Sequence, residues 1–341
     1  RQRIGKKREP TMYQFIVVLR TIACLLITNS HGEEVYPIRI LASGGLLGDA
    51  IFFAISGYCL YSLKSNKFLP WYGKRLKRVY IPTWLTAGLF ITTGIYGKIG
   101  AKRVLELLIW PTHYHFVASI LVMYIVFFFV VRFINRDEAQ CQRRLISVVL
   151  ASMFLFLGLF YTVYDWSYYH IDDVNNHIIW FFYFSCMMTG AYFRMNSEKY
   201  LEKTTVLSWI GILGSGILYI ATKLGCSRGI IPPAIQWINQ LTLLVLLVFI
   251  FRSFIGLEEF IKKIPSSLMA PVRFIASMAF EIYLAQAVII PTFNTGKETF
   301  PYNFLVVMSI TFLCAYGVHV VSDMIVQLLD TLLKKRAKVK K

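Results

Sequence analysis

The first residues that could do chemistry are Arg20 and His31, which begin and end the mostly apolar stretch RTIACLLITNSH. An arginine at the centre of a membrane helix costs about 2.5–3.5 kcal/mol on insertion scales, so Arg20 must face a polar cavity or a partner. Histidine is the side chain most easily poised as a base near neutral pH. The pair therefore indicates a polar track inside an apolar bundle.

The spacing of Arg20 and His31 predicts that both lie on one side of a helix. Their separation of eleven residues leaves about 20° after three full turns and spans roughly 16 Å along the axis. Two other interpretations stay open. Arg20 could form a structural ion pair with Asp49 or Glu281, and His31 could serve only as an interfacial residue.

The next apolar segment, GGLLGDAIFFAISGYCL at residues 44–60, combines glycines with an ionisable side chain, Asp49. Small residues of this kind let a neighbouring backbone or a ligand come close. The segment WYGKRLKRVYIP follows, with Arg75 and Arg78 three residues apart and hence on one helical face. Paired guanidinium groups suit phosphate recognition, because each can donate two parallel hydrogen bonds. Glu281, deep in a later apolar segment, should have a partner in the bundle.

The composition indicates which elements position these residues. Of 341 residues, 57% are hydrophobic and only 16% are charged, and the mean hydropathy is +0.58. Soluble domains carry about a quarter charged residues, and apolar windows of roughly 20 residues can cross a bilayer. We therefore expect an all-α, polytopic transmembrane helix bundle with about ten spans, at residues 11–30, 41–63, 80–97, 115–133, 145–164, 177–193, 204–222, 236–251, 274–291 and 303–330.

The distribution of Lys and Arg predicts the orientation of this bundle. With both termini in the cytoplasm, basic residues favour cytoplasmic over extracytoplasmic segments by about four to one, as the positive-inside rule requires. The net charge of +18 is thus an orientation signal, and no nucleic-acid partner is expected. We predict a single integral membrane domain over residues 1–341 with basic cytoplasmic tails at 1–10 and 331–341, the second of which, KKRAKVKK, contacts membrane lipids.

Three motifs resemble those of the acyltransferase 3 family of membrane O-acyltransferases. They are R-x10-H at Arg20 and His31, FFxxSG at residues 52–57, and RxxR at Arg75 and Arg78. Their order, spacing and topological side agree with that family. The segment FEIYLAQ at 280–286 departs from it, because Gln286 stands where many members have a histidine, so Gln286 is assigned no catalytic role.

The resemblance implies transfer of an acyl group, usually acetyl, from cytoplasmic acyl-CoA to a hydroxyl of an extracytoplasmic polysaccharide or lipid-linked glycan. It implies His31 as the base and Arg20 as a group that holds the pantetheine arm or stabilises negative charge. The expected acyl-CoA-binding residues are Arg75, Arg78, Phe52, Phe53, Ser56 and Gly57, and the supporting residues are Asp49 and Glu281. Acetyl-CoA is the expected co-substrate, no metal is expected, and the expected location is the cytoplasmic membrane of a bacterium.

Two alternative functions remain at this stage. A multi-span transporter or flippase for a glycan or small solute would also place charged residues inside a bundle. A membrane acyltransferase of a different family would use a buried histidine and asparagine, to which the position of His31 corresponds poorly. Release of free CoA distinguishes an enzyme from a carrier.

Overall fold

The computed structural model describes residues 13–63, 67–111, 113–169, 171, 177–201 and 205–339. The predicted basic tail at 1–10 lies outside the described residues. Within those ranges the chain is helical and contains no β-strand, which confirms the all-α prediction for the described part.

Each predicted span overlaps a helix. The α-helices are α1 Gln14–Ser30, α2 Gly45–Leu60, α3 Phe68–Thr92, α4 Ala101–Val104, α5 His115–Ile134, α6 Cys141–Thr162, α7 Ile179–Met195, α8 Ser197–Tyr200, α9 Val206–Ser227, α10 Ile238–Gly256, α11 Glu258–Lys262, α12 Ser266–Ser277, α13 Ala279–Phe293 and α14 Tyr302–Val339. By length and hydropathy, five helical segments of the described chain can cross a membrane, or six if the bent pair α12 and α13 is one span. The protein is thus a multi-pass membrane protein, and the count of ten spans and the orientation remain predictions.

Two helix boundaries differ most from those of the predicted spans. Helix α3 begins at Phe68, so Arg75 and Arg78 lie within a helix rather than between the predicted spans 41–63 and 80–97. Helix α14 continues to Val339, beyond the predicted end of the last span at residue 330. Hydropathy marks only the apolar part of a helix, whereas Lys and Arg are themselves good helix formers, so a helix can continue past the hydrocarbon core.

Helix α1 is fixed at its start by a buried carboxylate from α11. The backbone N–H groups of Gln14 and Phe15 donate to Glu258 at 3.1 and 2.9 Å, and Glu258 is only 1% exposed. The first N–H groups of a helix have no partner within the helix, and negative charge there is favoured by the helix dipole. Glu258 therefore anchors the helix that carries Arg20 and His31.

Helix α2 packs between α1 and α7 at backbone contact. A Cβ atom on Gly48 would lie 2.8 Å from the carbonyl oxygen of Ala23 in α1, and one on Gly57 would lie 1.7 Å from that of Met187 in α7. Small residues permit such close crossings between membrane helices. The sequence FFAISG thereby presents Gly57 to α7 while the other side of α2 remains available for a cavity.

The helical path is interrupted between α12 and α13, whose axes are bent by 63° relative to each other. The Thr21 hydroxyl donates to the carbonyl oxygen of Val272 at 2.8 Å and so ties α12 to α1. Broken backbone at membrane depth is tolerated where it is buried in protein or lines a cavity. Residues on both sides of the break, Ser277 and Glu281 among them, line such a cavity.

Candidate active site

Three adjoining cavities follow α1 through the bundle. The basic cavity, of about 300 Å³, is lined by Arg20, Ile55, Ser56, Cys59, Leu60, Lys74, Arg75, Arg78, Val79 and Tyr124. The central cavity, of about 390 Å³, includes Arg20, Phe52, Ser56, Phe116, Tyr124, Glu281, Tyr283 and His319 in its lining. The His31 cavity, of about 740 Å³, includes Ile27, His31, Asp49, His113, Phe116, Tyr183 and Tyr283. Neighbouring cavities share wall residues, so they form one file.

The basic cavity is formed largely by α3. The guanidinium of Arg75 lies over the Trp71 ring at 3.9 Å and donates to the Trp71 carbonyl oxygen at 2.7 Å, while its buried Nε has no hydrogen-bond partner among the described residues. Arg78, one turn further along, is exposed and borders both the basic and the central cavity. The predicted shared face of Arg75 and Arg78 thus points into one cavity.

Arg20 stands where the basic and central cavities meet. No described residue lies within hydrogen-bond or ion-pair distance of its side chain, and its nearest charged or polar neighbours include Tyr124 and Arg78. Glu281 instead contacts His319, so the structural alternative, an ion pair between Arg20 and Glu281 or Asp49, is absent from the described residues. A half-buried guanidinium without a protein partner is available for a ligand.

The central and His31 cavities adjoin at Ile27, Phe116 and Tyr283, which line both and are called the neck below. The Tyr283 hydroxyl oxygen accepts the backbone N–H of Phe116 at 3.2 Å. The hydroxyl hydrogen has no acceptor among the described residues, so it can be donated to a ligand atom at the neck.

The His31 cavity combines an imidazole with a carboxylate. The His31 side chain is exposed to this cavity, yet the surrounding protein lowers its pKa through desolvation. Asp49 accepts a hydrogen bond from the Tyr183 hydroxyl at 3.2 Å, and its second oxygen, Oδ1, is buried without a partner among the described residues. Neutral His31 can accept a proton, and Asp49 Oδ1 can accept a hydrogen bond from a ligand hydroxyl.

His113 lines the same cavity and is a rival for the role of base. Burial, and then the charge of Arg103, lower the pKa of His113 to about 4. A base is most effective when its pKa lies near the operating pH, so His113 is the weaker candidate. His113 also lies in the loop before α5, whereas Arg20 lies within α1 and His31 is the residue that ends it.

A comparison with protein families decides the class of protein. The model of an acyltransferase domain, acyltransferase 3, matches residues 13–320. The chain belongs to the acyltransferase 3 family. Comparisons with curated proteins and with solved structures gave no match. Membership in the acyltransferase 3 family makes the protein a membrane acyltransferase with an acyl donor and an acceptor, and favours an enzyme over the transporter or flippase.

Most of the residues predicted from the acyltransferase 3 resemblance line one of the three cavities, and two do not. Arg20, Arg75, Arg78, Phe52 and Ser56 line the basic or central cavity, and His31 and Asp49 line the His31 cavity. Phe53 and Gly57 do not border the three cavities. Phe53 stacks on Tyr183 of α7 with ring centroids 4.7 Å apart, and Gly57 contacts the α7 backbone.

Sequence reasoning missed part of the central cavity wall. His319 of α14 contacts Glu281 of α13 at 3.3 Å and thus supplies the partner that Glu281 was expected to need. Tyr283 and Tyr124 were also missed. An available signal was the spacing of His319 and Asp323, four residues apart and hence on one face of the last helix.

The described residues contain no group of three or more His, Cys, Asp or Glu side chains that could hold a metal ion. The polar side chains that line the three cavities carry cations, hydroxyls, imidazoles and carboxylates. This set can bind an anionic donor and move protons, which acyl transfer from a thioester to a hydroxyl requires.

Proposed function

We propose that the protein transfers an acyl group, with acetyl as the first candidate, from cytoplasmic acyl-CoA to a hydroxyl of an extracytoplasmic polysaccharide or lipid-linked glycan. The observation that carries the proposal is the file of three cavities, with four cations and no carboxylate among the described lining residues at one end and His31 at the other. A donor and an acceptor from opposite sides of a membrane could meet in such a file.

The donor enters by the basic cavity. Acyl-CoA carries phosphates, and Lys74, Arg75 and Arg78 line this cavity. Charge-assisted hydrogen bonds from guanidinium groups to phosphate are short and roughly twice as strong as neutral ones. The excess of Lys and Arg on segments predicted to be cytoplasmic supports placing this end in the cytoplasm, where acyl-CoA occurs.

The reacting thioester carbonyl lies at the neck. The backbone positions of Arg20 and His31 are roughly 16 Å apart along α1 and the neck lies between them, so the reaction needs both side chains to extend toward it. His31 takes the proton of the acceptor hydroxyl as its oxygen attacks the carbonyl carbon. Negative charge then develops on the carbonyl oxygen, where the Arg20 guanidinium and the Tyr283 hydroxyl stabilise it.

The acceptor enters by the His31 cavity. Asp49 Oδ1, buried and without a partner among the described residues, accepts a hydrogen bond from a second hydroxyl of the sugar and so orients the attacking one. The C–S bond breaks, the ester forms, and CoA leaves through the basic cavity. Phe53 and Gly57 contribute by holding α2 against α7, and Phe52 and Ser56 contact the donor arm.

The test is release of CoA thiol from acetyl-CoA by the purified protein with a membrane glycan extract from a bacterium. We compare the wild type with His31→Gln and Arg20→Gln. Matched controls are His177→Gln, a histidine beyond the three cavities, and Arg136→Gln, a surface arginine beside Phe133.

The expected result is release by the wild type and both controls, and its loss in His31→Gln and Arg20→Gln while the proteins remain folded. Release by the wild type that survives His31→Gln would contradict the role of His31. No release by the wild type with acetyl-CoA and any extract would contradict the proposed donor.

A further inference from the structure

A second cluster of titratable side chains lies in the wall of the central cavity, apart from Arg20 and His31. The Oε1 atom of Glu281 lies 3.3 Å from His319 Nδ1, and His319 Nε2 lies 3.7 Å from Oδ2 of Asp323. The three side chains join α13 to α14, and all three border the central cavity together with Arg20. Glu281 thus lies within hydrogen-bond distance of Nδ1, whereas Nε2 lies near Asp323 but beyond hydrogen-bond distance of it.

The cluster runs from the protein interior to an open surface. The side chains of Glu281 and His319 are 9% and 19% exposed, whereas that of Asp323 is 61% exposed. An imidazole can hold a proton on one ring nitrogen and accept one on the other. With Glu281 on Nδ1, the proton that His319 can donate is the one on Nε2.

Acyl transfer from a thioester creates a need for such a proton. When the C–S bond breaks, both bonding electrons stay on sulfur, and the leaving group is a thiolate. A charged group in a poorly hydrated cavity is costly unless it is neutralised or paired. His31 takes up a proton from the acceptor at the other side of the neck and cannot also donate one at the sulfur in the same step.

We propose that His319 is the proton donor to the leaving thiolate through Nε2, with Glu281 as the positioning residue that holds Nδ1. This inference rests on the proposed function. The C–O bond of the ester forms as the C–S bond breaks, His31 gains the acceptor proton, and His319 loses one to sulfur to give the free thiol. Before the next turnover, His31 gives up the proton that it gained and His319 takes up another.

Other groups in the cavity are poorer donors. The hydroxyls of Tyr124 and Tyr283 belong to a class whose ordinary pKa is about 10, against about 6.5 for imidazole. Arg20 and Arg78 remain protonated at any working pH. Among the described residues lining the central cavity, His319 is thus the side chain whose chemistry best suits proton donation near neutral pH.

The experiment compares two acetyl donors with wild type and His319→Gln. The leaving group of acetyl-CoA is the alkyl thiolate of CoA, which benefits from a proton. The leaving group of S-acetyl-4-nitrothiophenol is a stabilised aryl thiolate, which does not. We expect His319→Gln to lose about 10²-fold in rate with acetyl-CoA and less than about threefold with the aryl donor. His177→Gln is the matched control and stays near wild type with both donors.

Equal losses with both donors would overturn the proposal and leave His319 as a structural link between helices. Full activity of His319→Gln with acetyl-CoA would also overturn it, while leaving the proposed function intact. If the wild type does not use the aryl donor, added imidazole decides. It should restore part of the acetyl-CoA rate of His319→Gln, and no restoration would overturn the proposal.

Wild-type protein that releases no CoA from acetyl-CoA would overturn the proposed function, and the role of His319 with it. The groups that face His319 are Glu281 from α13, Asp323 from its own helix, and Arg20 and Arg78 across the cavity. Glu281→Gln provides a second variant that keeps the shape of the contact, and it should reproduce the donor dependence of His319→Gln in weaker form.

Discussion

The two ends of the file of cavities differ in how their charges are arranged. The described residues that line the basic cavity include four cations and no carboxylate. The His31 cavity mixes carboxylates, such as Glu33, Asp49 and Glu106, with Arg103 and with imidazoles. A field of one sign attracts a polyanion over a distance, whereas mixed donors and acceptors orient a polar ligand by hydrogen bonds. The difference teaches that one end of the file suits an anionic ligand and the other a polar, uncharged one, as the proposed donor and acceptor require.

The largest effect is expected at the His31 end. His31→Ala should lower kcat by about 10²–10⁴-fold, because a positioned base contributes that much to proton transfer. The KM for acyl-CoA should stay near the wild-type value, since the basic cavity is untouched. Steady-state thiol release at varied donor concentration measures kcat and KM. A large rise in the KM for the donor would show that His31 also contributes to donor binding, and would contradict separate roles for the two ends.

Arg20 belongs to the boundary between the ends, and its loss should be nearly as severe. Arg20→Gln should lower kcat by about 10²–10³-fold, the cost of removing one group that stabilises charge developing on an oxyanion. Arg20→Lys keeps the charge without the planar fork and should recover part of the loss. The kinetics of both variants are measured beside Arg136→Gln, and a defect in KM alone would reassign Arg20 to donor binding.

Glu258 tests whether both ends depend on the position of α1. Glu258→Gln should destabilise the protein by about 1–3 kcal/mol, because a charged acceptor for two helix N–H groups is replaced by a neutral one. Thermal unfolding in detergent measures the change. Its neighbour Glu259, an exposed partner of Lys262, is the matched control, and Glu259→Gln should cost less than about 1 kcal/mol. Equal stabilities of the two variants would contradict the anchoring role.

A smaller effect, confined to the basic end, is expected for the arginines of α3. Arg75→Gln and Arg78→Gln should each raise the KM for acyl-CoA by about tenfold, since hydrogen bonds to charged groups contribute about 1.5–3 kcal/mol. The KM for the glycan acceptor should not change. Added salt should weaken donor binding to the wild type more than to either variant. Equal salt dependence in all three proteins would contradict a role of Arg75 and Arg78 in binding the donor phosphates.

The smallest expected effect is the response to mild acid. Protonated His31 cannot accept a proton, so activity should fall as the pH drops through its pKa. Burial lowers that pKa below the ordinary value of 6.5. The rate should therefore fall less than about twofold between pH 7.5 and pH 6.5. A pH–rate profile with saturating donor measures this, and a midpoint above 6.5 would contradict His31 as the desolvated base.

The sequence predicted those features of the site that depend on one helix at a time. Arg20 and His31 border adjoining cavities because α1 is a regular helix and its periodicity holds over three turns. The pair of Arg75 and Arg78 follows from the same periodicity in α3. The class of protein followed from three motifs in order, since each motif is local in sequence.

What the sequence could not supply are contacts between helices. Glu281 and His319 are 38 residues apart, and no local pattern states that α13 and α14 bring them together. The motif FFAISG does not reveal that Gly57 faces α7 while Ser56 faces a cavity. The break at Met278 also has no local cause, because Pro271 lies seven residues earlier, inside α12, and no Pro or Gly occurs at the bend itself.

The neck of Ile27, Phe116 and Tyr283 matters also when no reaction takes place. A water-filled path from one face of a membrane to the other would conduct protons and dissipate the transmembrane potential, which is worth about 2.3 kcal/mol per elementary charge at 100 mV. Two apolar side chains and one phenol ring lie between the central and His31 cavities at this point. In the proposed reaction the substrates meet inside a membrane, so the enzyme must also be an electrical insulator, and these three residues are placed to insulate it.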